Sequence, residues 1–370
     1  IGGLHYFSTN SSKELVVNAY EFYDAPGDNT ESTLVIRNAN DIDGSLKEGF
    51  FRYEASAGHS AGWISPVPDV WFADVGGRYI TGMSSGIPII GRTSVGPSAF
   101  SFNELHIVDR PDVNSPVPTT TLLDFSLANR LHDDLSNSSR ENDLWTHLSR
   151  AVYGLIVPGT RSYLTLGHSG GHESGVCYKC TQSDGNLCGG YCAPDADDYY
   201  LYYWLWDVND LIRVRNGEIE SYEVRPYAYG ILETPIQATE LGGGSYDAVN
   251  NRLYLTLPGA DRLQGTYDNP PVIIAYSFDL GSGDSDGDNS KKIGRHKKKK
   301  VFCIASGGER YSRFDKPGST GSLQSADRAI RFFRRLYRRV RSQQKNGKMI
   351  RRYQRSLKRA RKCKSGKLFE

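Results

Sequence analysis

The sequence predicts a mainly β protein: an irregular β-propeller-like domain followed by a small basic α-helical hairpin tail. Three observations carry that expectation: a composition suited to short strands and turns, a repeated pair of strand patterns, and an abrupt change of charge. Of 370 residues, 39 are Gly, 23 Tyr and 14 Phe, with only 2 Met. Aromatic residues favour strands and Gly favours turns, so all-β is the first expectation.

Short apolar runs broken by Gly, Pro, Asn and Asp begin early, at Leu34-Val35-Ile36, Tyr79-Ile80-Thr81 and Ile87-Pro88-Ile89-Ile90, the pattern of closely spaced strands. The clearest internal likeness pairs Val157–Leu166 with Tyr246–Leu257, each a turn leading into Tyr-Leu-Thr-Leu. Each is followed, after a loop, by an apolar aromatic strand ending in Asp: Tyr202–Asp207 and Val272–Asp279. Turn, strand, loop and partner strand make half a propeller blade. A looser copy joins Gly76–Thr81 to Ser98–Phe102. A β-sandwich array is the competing architecture. Between the copies, Leu127, Leu131 and Leu135, then Leu144, Leu148 and Val152, recur at helical spacing around a polar Ser136–Asn142 loop, predicting a short helical insert over Ser126–Val152 packed on the propeller rim.

After Leu280 the chain runs through Gly281–Ser290 without an apolar residue, which cannot build a core. The predicted domains are therefore an acidic, aromatic-rich body over 1–280, an Asp/Gly-rich linker over 281–296 and a basic tail over 297–370. In the tail, Ile330, Phe333, Tyr337 and Val340 share one helical stripe, and Ile350, Tyr353, Leu357 and Ala360 another, with Asn346-Gly347 between as stop and turn. Residues 291–370 hold 28 Lys+Arg against 4 Asp+Glu, a net of +24, while residues 1–290 hold 17 against 38, a net of −21. Opposed charge of this size points to a polyanion or to self-association.

Six cysteines stand as a close group, Cys177, Cys180, Cys188 and Cys192, and a distant pair, Cys303 and Cys363. An even count in a loop-rich, Lys-poor β body suits an oxidising compartment, so disulfides and an extracellular or cell-surface location are expected. The start at Ile1-Gly2 reads as a processed or trimmed product. No apolar run reaches the ~18 residues of a transmembrane helix. Asn10 and Asn137 each open an Asn-x-Ser pattern, a candidate glycosylation signal.

Five constellations are candidates for chemistry. The paired spacing of Cys177/Cys180 and Cys188/Cys192 suits local disulfides first, with structural zinc as the alternative and His168, His172 and Glu173 as further ligands. Gly167–Gly171 spells Gly-x-Ser-x-Gly, but the cysteine loop after it does not supply a helix for a nucleophile elbow. Tyr202, Trp204 and Trp206, in a dense aromatic strand, are candidates for an exposed stacking surface, the competing reading being blade-to-blade filling. Arg331, Arg334, Arg335, Arg338, Arg339, Arg351, Arg352, Arg355 and Arg359 make the tail a salt-sensitive polyanion or assembly surface.

Asp284, Asp286 and Asp288 alternate in a flexible loop, an arrangement that collects Ca²⁺ through carboxylate oxygens. Here the chain resembles the calcium-binding thrombospondin type 3 and dockerin-like repeats of secreted proteins, over one truncated half-repeat. That resemblance implies these three Asp residues as Ca²⁺ ligands and an extracellular, multi-modular parent. The runs Gly96–Phe100 and Tyr203–Asp207 are similar to those of secreted bacterial propeller-like proteins, over roughly residues 50–280. The functional expectation is a secreted structural or adhesive protein whose tail docks on the acidic body of a neighbouring copy or on an extracellular polyanion, building filaments or matrix. An extracellular carbohydrate-active propeller enzyme, or a tail acting alone as a polyanion-binding module, is the alternative; the balance of signals leans away from an enzyme.

Overall fold

Four antiparallel sheets arranged like the blades of a four-bladed propeller form the body of this computed structural model. It describes residues 2–8, 13–21, 23–85, 92–108, 114–263 and 269–278, and the strands Phe302–Ile304 and Arg310–Ser312. The chain divides into two compact units, Ile1–Phe278 and Asp279–Glu370, a division two residues from the composition break at Leu280. In the second unit, Phe302–Ile304 and Arg310–Ser312 pair as an antiparallel hairpin.

The first sheet is a meander of β1 (Gly3–Ser8), β2 (Lys13–Asn18), β3 (Thr33–Ile36) and β4 (Lys47–Phe51). The second holds β5 (Trp63–Pro66), β6 (Tyr79–Gly82), β7 (Ala99–Phe102) and β8 (Thr120–Leu123). The third holds β9 (Arg150–Ile156), β10 (Ser162–Gly170), β13 (Tyr199–Asp207) and β14 (Ala228–Ile231), with the small hairpin β11 (Cys177–Tyr178) and β12 (Tyr191–Cys192) inserted between β10 and β13. The last is three-stranded: β15 (Gly243–Asp247), β16 (Arg252–Leu257) and β17 (Val272–Tyr276). The repeated Tyr-Leu-Thr-Leu segments occupy equivalent second strands. Leu164 pairs with Leu205 in one copy and Leu255 with Ile274 in the other. The looser copy is the pair β6 and β7.

Apolar packing joins neighbouring sheets. Phe7, Val16, Val35, Phe51, Ile64 and Phe102 fill the seam between the first two sheets. A larger cluster including Trp63, Leu122, Trp145, Tyr163, Trp204 and Leu255 runs through the second, third and fourth. Each fully buried side chain of this size stabilises by about 1.5–3 kcal/mol relative to exposure. Where the chain enters β5 beside β6, a Cβ on Gly62 would fall 1.9 Å from the Gly82 carbonyl oxygen, so glycine stands there.

A polar joint sits in the first seam. Asn18, fully buried at the end of β2, donates from Nδ2 to Gly62 O and Thr81 Oγ1, both at 3.1 Å. Its Oδ1 accepts from Thr33 Oγ1 at 3.0 Å and from the Tyr53 hydroxyl at 3.3 Å. One amide therefore uses both donor and acceptor capacity to hold two sheets in register. Burial raises the Tyr53 phenol above its ordinary range, so the hydroxyl stays a donor.

Two sequence expectations are corrected. The first is the helical insert over Ser126–Val152. The described chain is irregular up to Ser149, and β9 begins at Arg150. Asp134 accepts from the backbone N–H of Ser138 and Ser139 at 2.9 and 2.8 Å, and Asn142 binds Asp134 O, Trp145 O and two backbone N–H groups. Short polar side chains thus take backbone bonds that a helix needs. Leu131, Leu135 and Trp145 are buried as loop anchors.

The second correction concerns the aromatic surface. Tyr202, Trp204 and Trp206 are all buried. They lie on one face of β13, and the 124–149 link covers them. Tyr202 Oη donates to Asp143 O at 2.6 Å, Trp204 Nε1 to Leu144 O at 2.9 Å and Trp206 Nε1 to Thr165 Oγ1 at 3.0 Å. The Trp145 and Trp204 ring centroids stand 5.0 Å apart. A sheet covered on both faces buries its whole strand, and alternation then predicts no exposed side. Asn137 is likewise buried at φ +46°, donating to Gly171 O and His172 O, so its amide is no glycan acceptor. Asn10 lies outside the described residues.

Candidate functional site

In a four-stranded meander the turn between the second and third strands leaves from the same end as the link to the next sheet. Two features occupy these connections: a polar cavity and a cysteine hairpin.

The cavity encloses about 590 Å³ and is lined by the β2–β3 connection (Asp24, Asn29, Thr30), the β4–β5 link (Arg52, Glu54, Ser56) and Arg92. Asp24 Oδ1 accepts from the N–H of Asp28 and Asn29 at 3.0 and 3.2 Å, which closes the loop into an Asx-type turn. Arg92, at a left-handed φ of +48°, reaches across to donate to Asp24 O at 3.3 Å and Ala25 O at 2.5 Å. Glu54 accepts from Thr119 N–H at 3.1 Å, and Arg52 donates to Asn114 O at 3.2 Å. Each charged group therefore already holds a loop, while the wall offers both signs of charge to solvent. One residue beyond Gly58, His59 Nδ1 meets Asp124 Oδ1 at 2.5 Å. This arrangement suits holding a small polar ligand between two guanidiniums and two carboxylates. None of its residues stood out in the sequence, because they come from four separate connections spanning residues 24–116.

The second feature begins where Asp198, buried after the cysteine segment, accepts from Glu173 N, Ser174 N and Ser174 Oγ at 2.9, 2.7 and 2.8 Å. Beyond this anchor the chain projects as a hairpin with Cys177 opposite Cys192. Lys179 at φ +51° turns the first arm, and Cys188 N–H donates to Cys180 O at 3.1 Å. Cys177 and Cys180 lie at bonding distance, as do Cys188 and Cys192. The expected disulfide partners are thus brought together within each arm. Tyr191 stacks on His147 at 4.0 Å, fixing the hairpin to the 124–149 link.

The other candidates fall as follows. Among the described residues, a group of Cys177, Cys180 and Cys192 has the spacing to hold a metal ion, and neither His168, His172 nor Glu173 belongs to it. His168 instead lies on β10, with its Nδ1 3.4 Å from Leu241 N–H, and burial, aided by the nearby Arg150 charge, lowers its pKa to about 4. His172 stacks on Tyr202 and its Nδ1 meets Asn142 O at 3.1 Å. Ser169 of the Gly-x-Ser-x-Gly run is buried inside β10 and bonded to Ser149 at 2.7 Å. Asp284, Asp286, Asp288, Cys363, the tail arginines and the side chain of Cys303 lie outside the described residues.

The fold and these two features define a propeller that carries a polar cavity and a cysteine hairpin in its connections. Comparison with protein-family models and with curated proteins gave no match to this chain. Among the described residues no helix is long and apolar enough to cross a membrane.

Proposed function

We propose that the protein is a secreted binding and assembly protein, in which the basic tail docks on the acidic propeller body of a neighbouring copy. The observation that carries this reading is the charge division, −21 over residues 1–290 against +24 over 291–370. Many of the body's acids stand outward. Glu21, Asp28, Glu31, Asp41 and Asp43 are exposed around the first sheet, Glu218, Glu220 and Glu223 in the β13–β14 connection of the third, and Glu233 and Glu240 in the link to the fourth. With the β13 aromatics buried, adhesion rests on charge rather than on stacking.

Attraction between exposed charges fades as the Debye length falls from ~8 Å at physiological salt to ~3 Å at 1 M. The full chain should therefore self-associate in light scattering at low salt and dissociate at high salt. Replacing Arg334, Arg335, Arg338 and Arg339 by Gln should abolish association while leaving the fold intact. The same oligomeric state in wild type and variant at low salt refutes the reading.

A second reading is favoured by the cavity between Asp24, Arg52, Glu54 and Arg92, which has the volume and mixed charge for a small polar ligand. Both functions are compatible with one body.

A further inference from the structure

The cysteine hairpin poses a problem that disulfides within its arms do not solve. Residues 178–191 carry almost no core: Tyr178 and Leu187 are 60% and 74% exposed, and positions 183–187 are all exposed. A segment without apolar burial needs a cross-link to hold its shape. Bonds from Cys177 to Cys180 and from Cys188 to Cys192 span 3 and 4 residues in sequence. They close very short loops and add no covalent tie between the two arms, which are joined by backbone hydrogen bonds, so they contribute little to the hairpin as a whole.

Yet the sulfurs converge across the arms. Sγ of Cys192 stands 3.9 Å from Sγ of Cys177 and 3.6 Å from Sγ of Cys180. The three lie within 4.8 Å of one another, and Cys188 Sγ is joined to Cys192. A tetrahedral ion with metal–sulfur bonds of about 2.3 Å sets its sulfur ligands about 3.8 Å apart. The cross-arm distances match that edge. The arms are also shaped for it. The left-handed turn at Lys179 returns Cys180 to the side of Cys177, and Gly189 and Gly190 leave open space beside the second pair.

We propose that Cys177, Cys180, Cys188 and Cys192 form a Cys₄ structural site for Zn²⁺ in the thiol form of the chain, tying the two arms through one ion. The chemistry balances. Reduction of both disulfides by two equivalents of a dithiol, which is itself oxidised to its disulfide, supplies four electrons and four protons and yields four thiols. Zn²⁺ then binds four thiolates with release of four protons. In the reverse direction two equivalents of an oxidised dithiol, a small disulfide, take up four electrons and four protons, re-form both protein disulfides and release Zn²⁺, making the hairpin a redox-dependent zinc clip. This inference is independent of the tail and of the cavity.

The test uses the full chain, reduced anaerobically, its free thiols counted by mass, then incubated with Zn²⁺ or Co²⁺ and desalted. The expected result is one Zn²⁺ per chain by elemental analysis, and for Co²⁺ the visible bands of a tetrahedral thiolate site. Trypsin cleavage after Lys179 should slow when the metal is present. Cys180→Ser/Cys192→Ser should lose the metal while keeping native tryptophan fluorescence from the propeller core, and Cys303→Ser/Cys363→Ser should keep it. Four free hairpin thiols with sub-stoichiometric zinc overturn the proposal. So does zinc that survives Cys180→Ser/Cys192→Ser but is lost with Cys303→Ser/Cys363→Ser.

Discussion

Replacing Asn18 by Leu tests whether the first two sheets are held by a polar joint or by apolar packing alone. Leucine keeps the branching at Cγ, but its two methyls are bulkier than the amide O and NH2 in this fully buried site, which adds a packing cost to the loss. What is lost is the amide. Gly62 O loses a donor at 3.1 Å and the Tyr53 hydroxyl loses an acceptor at 3.3 Å, while Thr33 retains Ser32 Oγ at 3.3 Å. Each buried group stranded in this way costs about 1–3 kcal/mol, for a total of about 2–6 kcal/mol. That is a large fraction of the ~5–15 kcal/mol that holds a typical domain together. Urea unfolding followed by tryptophan fluorescence reads the loss directly. Adding Tyr53→Phe removes one stranded hydroxyl, and the double variant should recover about 1–2 kcal/mol relative to Asn18→Leu alone. A single variant within about 0.5 kcal/mol of wild type, the scatter of neutral surface substitutions, or a double variant that loses the full sum, would refute the joint.

Trp204→Phe removes the Nε1 bond to Leu144 O and part of the contact with Trp145. It should cost about 1–3 kcal/mol and speed trypsin cleavage at the exposed Arg140, and unchanged cleavage would show that the 124–149 link is anchored elsewhere. Burial lowers the pKa of both His5 and His168 from 6.5 to about 4. Between those values the unfolded chain binds protons that the folded chain refuses, so stability present above pH 6.5 falls as pH drops to about 4, by at most ~3 kcal/mol per histidine, and then levels. Thermal unfolding across that window should show the decline, with a shallower slope in His168→Gln; an identical slope counts against the assignment.

The strand framework was legible where a pattern repeated. Tyr163–Leu166 and Tyr254–Leu257 announced two second strands, and the aromatic runs after them announced their partners. The first sheet was legible only as Leu34-Val35-Ile36, because β1 and β4 carry polar and glycine residues whose strand state depends on neighbours. Over Ser126–Ser149 the leucine spacing imitated a helix, while Asp134, Asn137 and Asn142, the residues that prevent one, read as ordinary loop polar groups. The cysteine pairs were visible from spacing. Their convergence across two arms was not, because it depends on the left-handed turn at Lys179. Asp24, Glu54 and Arg92 carried no local signal at all, since only the arrangement of sheets brings their loops to one wall.

The 124–149 link has a consequence for how the body divides. Leu131 N–H donates to Val95 O on the second-sheet side, and the stretch before β9 is pinned to β13 through Asp143 and Leu144. Between these moorings, Ser138, Ser139 and Arg140 are exposed. A chain interrupted there would fall into two pieces of two sheets each, both carrying their own fastenings. Such halves are suited to reassembly in trans. Fused to two separate partners, they would report whether the partners meet by restoring the tryptophan core.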